Sequence, residues 1–180
     1  MSNARHLVLV GLMGAGKTTV GRVCARRLGR GFVDTDALVE TNAGATIPEL
    51  FGTEGEAGFR VRERAAVADA MASPEPLVIA CGGGAMVDPE NRRAVRNGGV
   101  VVWLQAPPDV LAGRVERDGL AARPLMTAGP SVVTLSRLAD SRGETYAAAA
   151  HATVTTEDRD AEAVADSVLT AFADLGEVSS

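Results

Sequence analysis

Three apolar runs without polar alternation, HLVLV at 6–10, LVIA at 77–80 and GVVVWL at 99–104, most limit the folds open to this chain. A strand with one wet face alternates apolar and polar residues, whereas a run apolar at successive positions suits a strand buried on both faces. GFVD at 31–34 and ATVTT at 152–156 read as two further, shorter strands. Between them lie stretches with helix start and stop signals. The first helix is expected from about Gly16 to Leu28, with Gly29 as its C-cap. Thr46 and Glu49 carry a capping-box pattern, and Thr53 with Glu56 repeats it, opening a long helix to about Met71 that SPEP breaks. Asp88 and Pro89 read as an N-cap and first helical residue. PPDVLAGRVERD, Ser131–Ala150 and Asp160–Leu175 read as the remaining helices. Strands alternating with helices predict an α/β fold: a five-stranded parallel sheet with helices on both faces, a three-layer αβα sandwich.

At 180 residues the chain suits one domain, expected over 1–175 with a short tail at 176–180. The small, Gly- and Pro-bearing stretch GLAARPLMTAGP reads as a mobile loop, a lid at about 117–130. Aromatic residues make up only 3 % against 46 % hydrophobic, so Ala, Val and Leu must fill the core. A net charge of −5 argues against nucleic-acid or membrane-surface partners. Two cysteines, Cys24 and Cys81, make neither a disulfide framework nor a four-ligand metal site, and read as small buried apolar groups. The N-terminus lacks a signal-peptide pattern and no apolar run spans a bilayer, so the cytoplasm is the expected location and a monomer the expected state.

In open parallel sheets ligands bind beyond the carboxyl ends of the strands. Gly11, Asp34 and the triplet Gly82, Gly83, Gly84 each follow a strand and are expected on that one rim. GLMGAGKT, Gly11 to Thr18, fits G-x-x-x-x-G-K-[ST] between a strand and a helix, the context that motif requires. Its glycines let backbone N–H groups curl around phosphate oxygens, Lys17 would reach the β- and γ-phosphates, and the Thr18 hydroxyl would hold Mg²⁺. Lys17 is the chain's only lysine among 18 Lys and Arg residues. The motif means a nucleoside-triphosphate binder, kinase or switch alike. The N-K-x-D base-reading motif of a Ras-like GTPase is absent.

Asp34 and Asp36 stand at the expected end of the second strand, where one could support Mg²⁺ and the other orient a hydroxyl. Taken alone, D-x-D also fits a helix cap. Arg60 follows Phe59, which should be buried, while Arg62, Glu63 and Arg64 look like a solvated helical face. Arg123 sits in the loop and could close over a transferring phosphoryl group. Arg142 and Tyr146 lie one helical turn apart and can touch.

GLMGAGKTTVGR, DTD, GEAGFR, CGGGA, RPLM and RGETY, in this order and approximate spacing, jointly resemble the shikimate kinases over nearly the whole chain. The resemblance implies a nucleoside-monophosphate-kinase-like P-loop domain that moves the γ-phosphoryl group of ATP to the 3-hydroxyl of shikimate. It implies that Gly14, Ala15, Gly16, Lys17, Thr18 and Thr19 hold ATP, and that Thr18 and Asp34 hold Mg²⁺. Asp36 would bind the acceptor's hydroxyls and act as base or positioner, with Lys17 and Arg123 as its catalytic companions. Arg60 and Arg142 would clamp the substrate carboxylate, a task suited to bidentate guanidinium groups. Gly82, Gly83 and Gly84 would line the substrate, Gly83 foremost, glycine there letting a backbone N–H reach the ligand. Arg117, Arg123 and Arg159 would serve the nucleotide, Arg117 and Arg159 near the adenine. The competing readings are another small-metabolite kinase, gluconate-like, and a non-catalytic nucleotide switch. The first should lack the combination of Asp36, Arg60, the triple glycine and Arg142, and the second needs no acidic-substrate pocket.

Overall fold

β1 (His6–Val10) is buried at every position, as its unbroken apolar pattern demands. It forms the centre of the sheet. The computed structural model describes residues 5–117 and 132–177, so most of the expected lid, Arg123 included, lies outside the described residues. β2 (Gly31–Asp34), β3 (Leu77–Ala80), β4 (Gly99–Gln105) and β5 (Ala152–Thr155) complete a five-stranded sheet in the order β2-β3-β1-β4-β5. Every pairing is parallel, with Leu9 opposite Ala80 and Val102, and Ala80 opposite Asp34. The five strands match the expected ones to within a residue.

The connections are helical: α1 (Lys17–Leu28), α2 (Thr35–Ala43), α3 (Ile47–Met71), α4 (Pro89–Gly98), α5 (Pro108–Arg117), α6 (Val132–Ala149) and α7 (Ala161–Glu177). α1 packs with α7 on one side of the sheet, and α4 with α3 and α6 on the other. This covers both faces, as parallel sheets require. Buried Val, Leu and Ala from β1, β3 and β4 and from the inward helical faces make one continuous core. A second, smaller cluster of Val39, Leu50, Phe59 and Ala66 belongs to α2 and α3 alone.

Local signals behave as chemistry dictates at most boundaries. Gly29 ends α1 at φ 63°, and Asp88 caps α4 through its side chain, with Pro89 following. The Thr46–Glu49 capping box is formed in full and starts α3. The second one, Thr53 with Glu56, is not. α3 is already running there, and the Thr53 hydroxyl donates back to the Glu49 carbonyl at 2.9 Å. α3 is two helical stretches joined by a kink at Gly55, with φ 70° and ψ −176°, so the second stretch begins within a few residues of the expected start. A single 3-10 turn, Ala85–Val87, follows the triple glycine.

Candidate active site

The strand order brings the motifs together. β3 lies between β2 and β1, so the glycine triplet after β3 sits between the phosphate loop after β1 and Asp34 at the end of β2. Gly14 and Gly16 adopt φ 80° and 90°, a region that side chains rarely enter. A methyl group on Gly14 would also come within 2.9 Å of the Leu111 carbonyl oxygen. The loop thus delivers the first N–H groups of α1, with their positive end of the helix dipole, to a cavity of about 280 Å³. Residues 13–20, Asp34, Asp36, Arg114 and Arg159 line it. Lys17 is buried, and its Nζ donates to the Gly11 and Leu12 carbonyls at 2.7 and 3.0 Å.

Asp34 has two tasks. Its Oδ2 accepts the Thr18 hydroxyl at 2.7 Å. Its Oδ1 accepts the Asp36 N–H at 3.0 Å and so caps α2. Asp36 therefore stands in the first turn of α2, not on the strand end. The reading as cap holds at Asp34. Among the described residues no three His, Cys, Asp or Glu side chains gather as a metal cage. The Thr18 and Asp34 oxygens beside the phosphate loop are the hard, sparse donor set that Mg²⁺ takes together with phosphates.

Across the glycine triplet lie the arginines. Arg60 Nη1 is bonded to Glu63 Oε2 at 2.7 Å, and Nη2 to Glu56 Oε1 at 3.3 Å. Glu63 is not solvated: it is 2 % exposed. Burial pushes its carboxyl up, with Asp36 adding to the rise while Arg60 and Arg142 oppose it. These four side chains thus share one electrostatic neighbourhood. Arg142, also buried, donates from Nη1 to the Gly83 carbonyl at 3.0 Å, and the Tyr146 hydroxyl donates to the same oxygen. The Gly82 N–H is taken by the Thr35 hydroxyl at 2.9 Å. Among the described residues the Gly83 N–H donates to no group.

The crowding at the triplet falls on the outer glycines. A methyl group on Gly82 would overlap Asp36 Oδ1, and one on Gly84 would come within 2.8 Å of Arg60 Nη2. At Gly83 the nearest protein atom would be 3.6 Å away, ordinary contact. A methyl group at Gly82 or Gly84 would displace Asp36 or Arg60, whereas one at Gly83 would displace no protein atom.

On the nucleotide side, Arg159 lines the phosphate cavity and is held by Ala163 O and by Ser167 Oγ at 2.8 Å. Arg117 is exposed and bonds the Gly113 carbonyl of its own helix at 3.1 Å. Arg114, one turn earlier, is the arginine of α5 that faces the cavity. It bonds Gly14 O at 3.2 Å and Thr156 O at 2.7 Å, joining the phosphate loop to the turn after β5. Sequence reading missed Arg114 and Glu63. In a chain with so many arginines neither position carries a local signal, and Glu63 sits amid charges that suggest a wet face.

The family model for shikimate kinase matches residues 13–173. The chain belongs to the shikimate kinase family. Within that family, a shikimate kinase of Symbiobacterium thermophilum is 47 % identical over 96 % of this chain and 98 % of its own length. The solved structure of the Acinetobacter baumannii shikimate kinase in complex with shikimate superposes with a TM-score of 0.90 at 38 % identity, covering 97 % of this chain and 96 % of that one. A gluconokinase from Sinorhizobium meliloti is similar at a TM-score of 0.63 and 19 % identity over 98 % of this chain and 96 % of its own, a likeness of fold alone. Membership fits the P-loop kinase fold and makes ATP the co-substrate.

Proposed function

We propose that this protein transfers the γ-phosphoryl group of ATP to the 3-hydroxyl of shikimate, giving shikimate 3-phosphate and ADP, a step toward chorismate and the aromatic amino acids. The observation that carries the reading is the meeting, around one glycine triplet, of a phosphate loop, the Asp36 carboxylate and two arginines, Arg60 and Arg142. A small acid with hydroxyl groups satisfies all of them at once, and a switch protein has no use for that set.

The roles follow from phosphoryl-transfer physics. Its transition state is loose, so catalysis is positioning and charge stabilisation. Gly14 to Thr19 wrap the phosphates. Lys17, now bonded to loop carbonyls, supplies a compact positive charge toward the γ-phosphate. Mg²⁺, held by Thr18 and Asp34, would neutralise charge across the phosphates. Asp36 aligns the attacking hydroxyl and receives its proton. Arg60 and Arg142 grip the carboxylate, with Glu63 fixing the Arg60 guanidinium. Gly82, Gly83 and Gly84 line the acceptor. Arg123, outside the described residues, acts from the lid, and Arg117 and Arg159 attend the adenine. The enzyme works as a cytoplasmic monomer without nucleic-acid or membrane partners. In support, the net charge is −5 and no described helix is long and apolar enough to cross a membrane.

A turnover assay with ATP and shikimate, quinate or gluconate in parallel tests this. ADP release that depends on shikimate is the expected result. Release with gluconate alone would make the chain a different metabolite kinase, and release without any acceptor would favour a switch.

A further inference from the structure

The Gly83 carbonyl receives both Arg142 and Tyr146 from α6. A carbonyl oxygen has two lone pairs, so this acceptor is fully used. The two donors are one helical turn apart and differ in what they can do. Arg142 has a further task under the proposed function, the acceptor's carboxylate. A bidentate grip takes two of the five guanidinium N–H groups, so the group that bonds Gly83 is shared with the carboxylate.

Tyr146 has no carboxylate to grip, and its hydroxyl meets Arg142 as well as the Gly83 carbonyl. It is 1 % exposed, and its ring lies against Trp103 with centroids 5.6 Å apart. Burial pushes its hydroxyl up to about 12, so it stays a protonated donor throughout the working pH range. On the other side of the triplet the Thr35 hydroxyl holds the Gly82 N–H at 2.9 Å, and the Gly82 carbonyl accepts the Ala85 N–H at 3.0 Å. The glycine loop is thus pinned between the start of α2 and the second half of α6. Tyr146 is the pin that substrate binding does not recruit.

We propose that Tyr146 is a positioning residue whose hydroxyl holds the Gly83 carbonyl, and with it the glycine loop, in place with or without the acceptor, while Arg142 is shared with the acceptor's carboxylate. The proposal rests on the role given to Arg142 under the proposed function. It predicts that losing one hydroxyl, four residues from the clamp and out of reach of solvent, weakens acceptor binding and leaves nucleotide binding alone.

Tyr146→Phe keeps the ring against Trp103 and removes only the hydroxyl. Without any substrate, amide hydrogen exchange at Gly82 and Ala85 should rise at least tenfold, with β1 amides unchanged. Unaltered exchange at those two amides overturns the proposal whatever the acceptor is. In steady-state assays the KM for shikimate should rise about fivefold to tenfold, the usual effect of one lost buried hydrogen bond. The KM for ATP should stay within twofold. An unchanged shikimate KM with only a lower melting temperature would overturn the link to the substrate and leave a structural hydroxyl. A wild-type protein that ignores shikimate would instead sink the functional reading, and the exchange experiment would still decide whether Tyr146 holds the loop.

Discussion

A carboxylate and a guanidinium occupy the space that methyl groups on the outer glycines of the triplet would need. Gly82 faces Asp36 Oδ1 and Gly84 faces the Arg60 guanidinium. Both neighbours are the far ends of flexible side chains, so they can move aside at little cost in stability. Movement is what the chemistry cannot tolerate, since a shift of about 1 Å in a reacting group can cost a hundredfold in rate. Gly82→Ala should therefore lower kcat at least tenfold while the melting temperature changes little, and Gly84→Ala should mainly raise the shikimate KM. Gly83→Ala should be the mildest of the three unless the ligand itself needs that space. Steady-state kinetics beside thermal unfolding of the three variants check this ordering. Asp36→Asn should lower kcat by about 10² to 10⁴, the range for a lost proton acceptor, while the KM for ATP holds. Unchanged turnover would remove Asp36 from its role. The glycine triplet and Asp34 were legible together in the sequence because each follows a strand. Which glycine touches which partner was not legible, because it depends on the direction of side chains from α2 and α3.

Among the elements, α3 departs most from its sequence pattern. Gly55 sits at φ 70° and ψ −176°, a conformation that belongs to glycine almost alone. In a straight helix Phe51 and Phe59 would lie about 12 Å apart along the axis, but their ring centroids are 4.7 Å apart. The break folds the two rings together and lets Phe59 join Val39, Leu50 and Ala66 in a cluster separate from the sheet core. Arg60, next to Phe59, is thereby aimed at the glycine triplet. Open space surrounds the Gly55 position, so the cost of Gly55→Ala should come from the backbone, about 1 to 3 kcal/mol. Urea denaturation measures it, and a loss of affinity for the acceptor beyond the loss of stability would tie the break to Arg60. The repeated Thr-x-x-Glu pattern pointed to a helix start near Thr53. A first stretch starts at Ile47 on its own capping box, and a second starts at the Gly55 kink, close to the expected point, with glycine geometry rather than a Thr–Glu box as its cause.

For the whole molecule, the amino ends of the strands carry the pH response and the carboxyl ends carry the site. His6 Nδ1 accepts the Leu77 N–H and His151 Nδ1 accepts the Val101 N–H, both at 3.0 Å. Each imidazole supplies an acceptor that protonation removes. Burial lowers both below the ordinary histidine value of 6.5, helped at His6 by Arg30 and at His151 by Arg96 and Arg5. The unfolded chain therefore binds these protons more readily than the fold does. Their stabilising contribution is complete above about pH 6.5 and is lost as the pH falls through the lowered values. The melting temperature should drop from pH 7.5 to pH 5, with the Leu77 and Val101 amide resonances shifting over the same range, and a flat profile would contradict it. At this scale the division between sequence and structure is clear. The amino-acid sequence determined the five strands, the helices between them except α2, and the phosphate loop, because those depend on spacing, turn chemistry and caps within a few residues. Tertiary structure decided that β3 lies between β1 and β2, that Glu63 is buried against Arg60, that Arg114 rather than Arg117 faces the phosphate loop, and that Tyr146 shares the Gly83 carbonyl with Arg142. Local spacing allows the Arg60–Glu63 and Arg142–Tyr146 pairs, but it does not tell which side of a helix faces inward or which distant carbonyl a side chain meets.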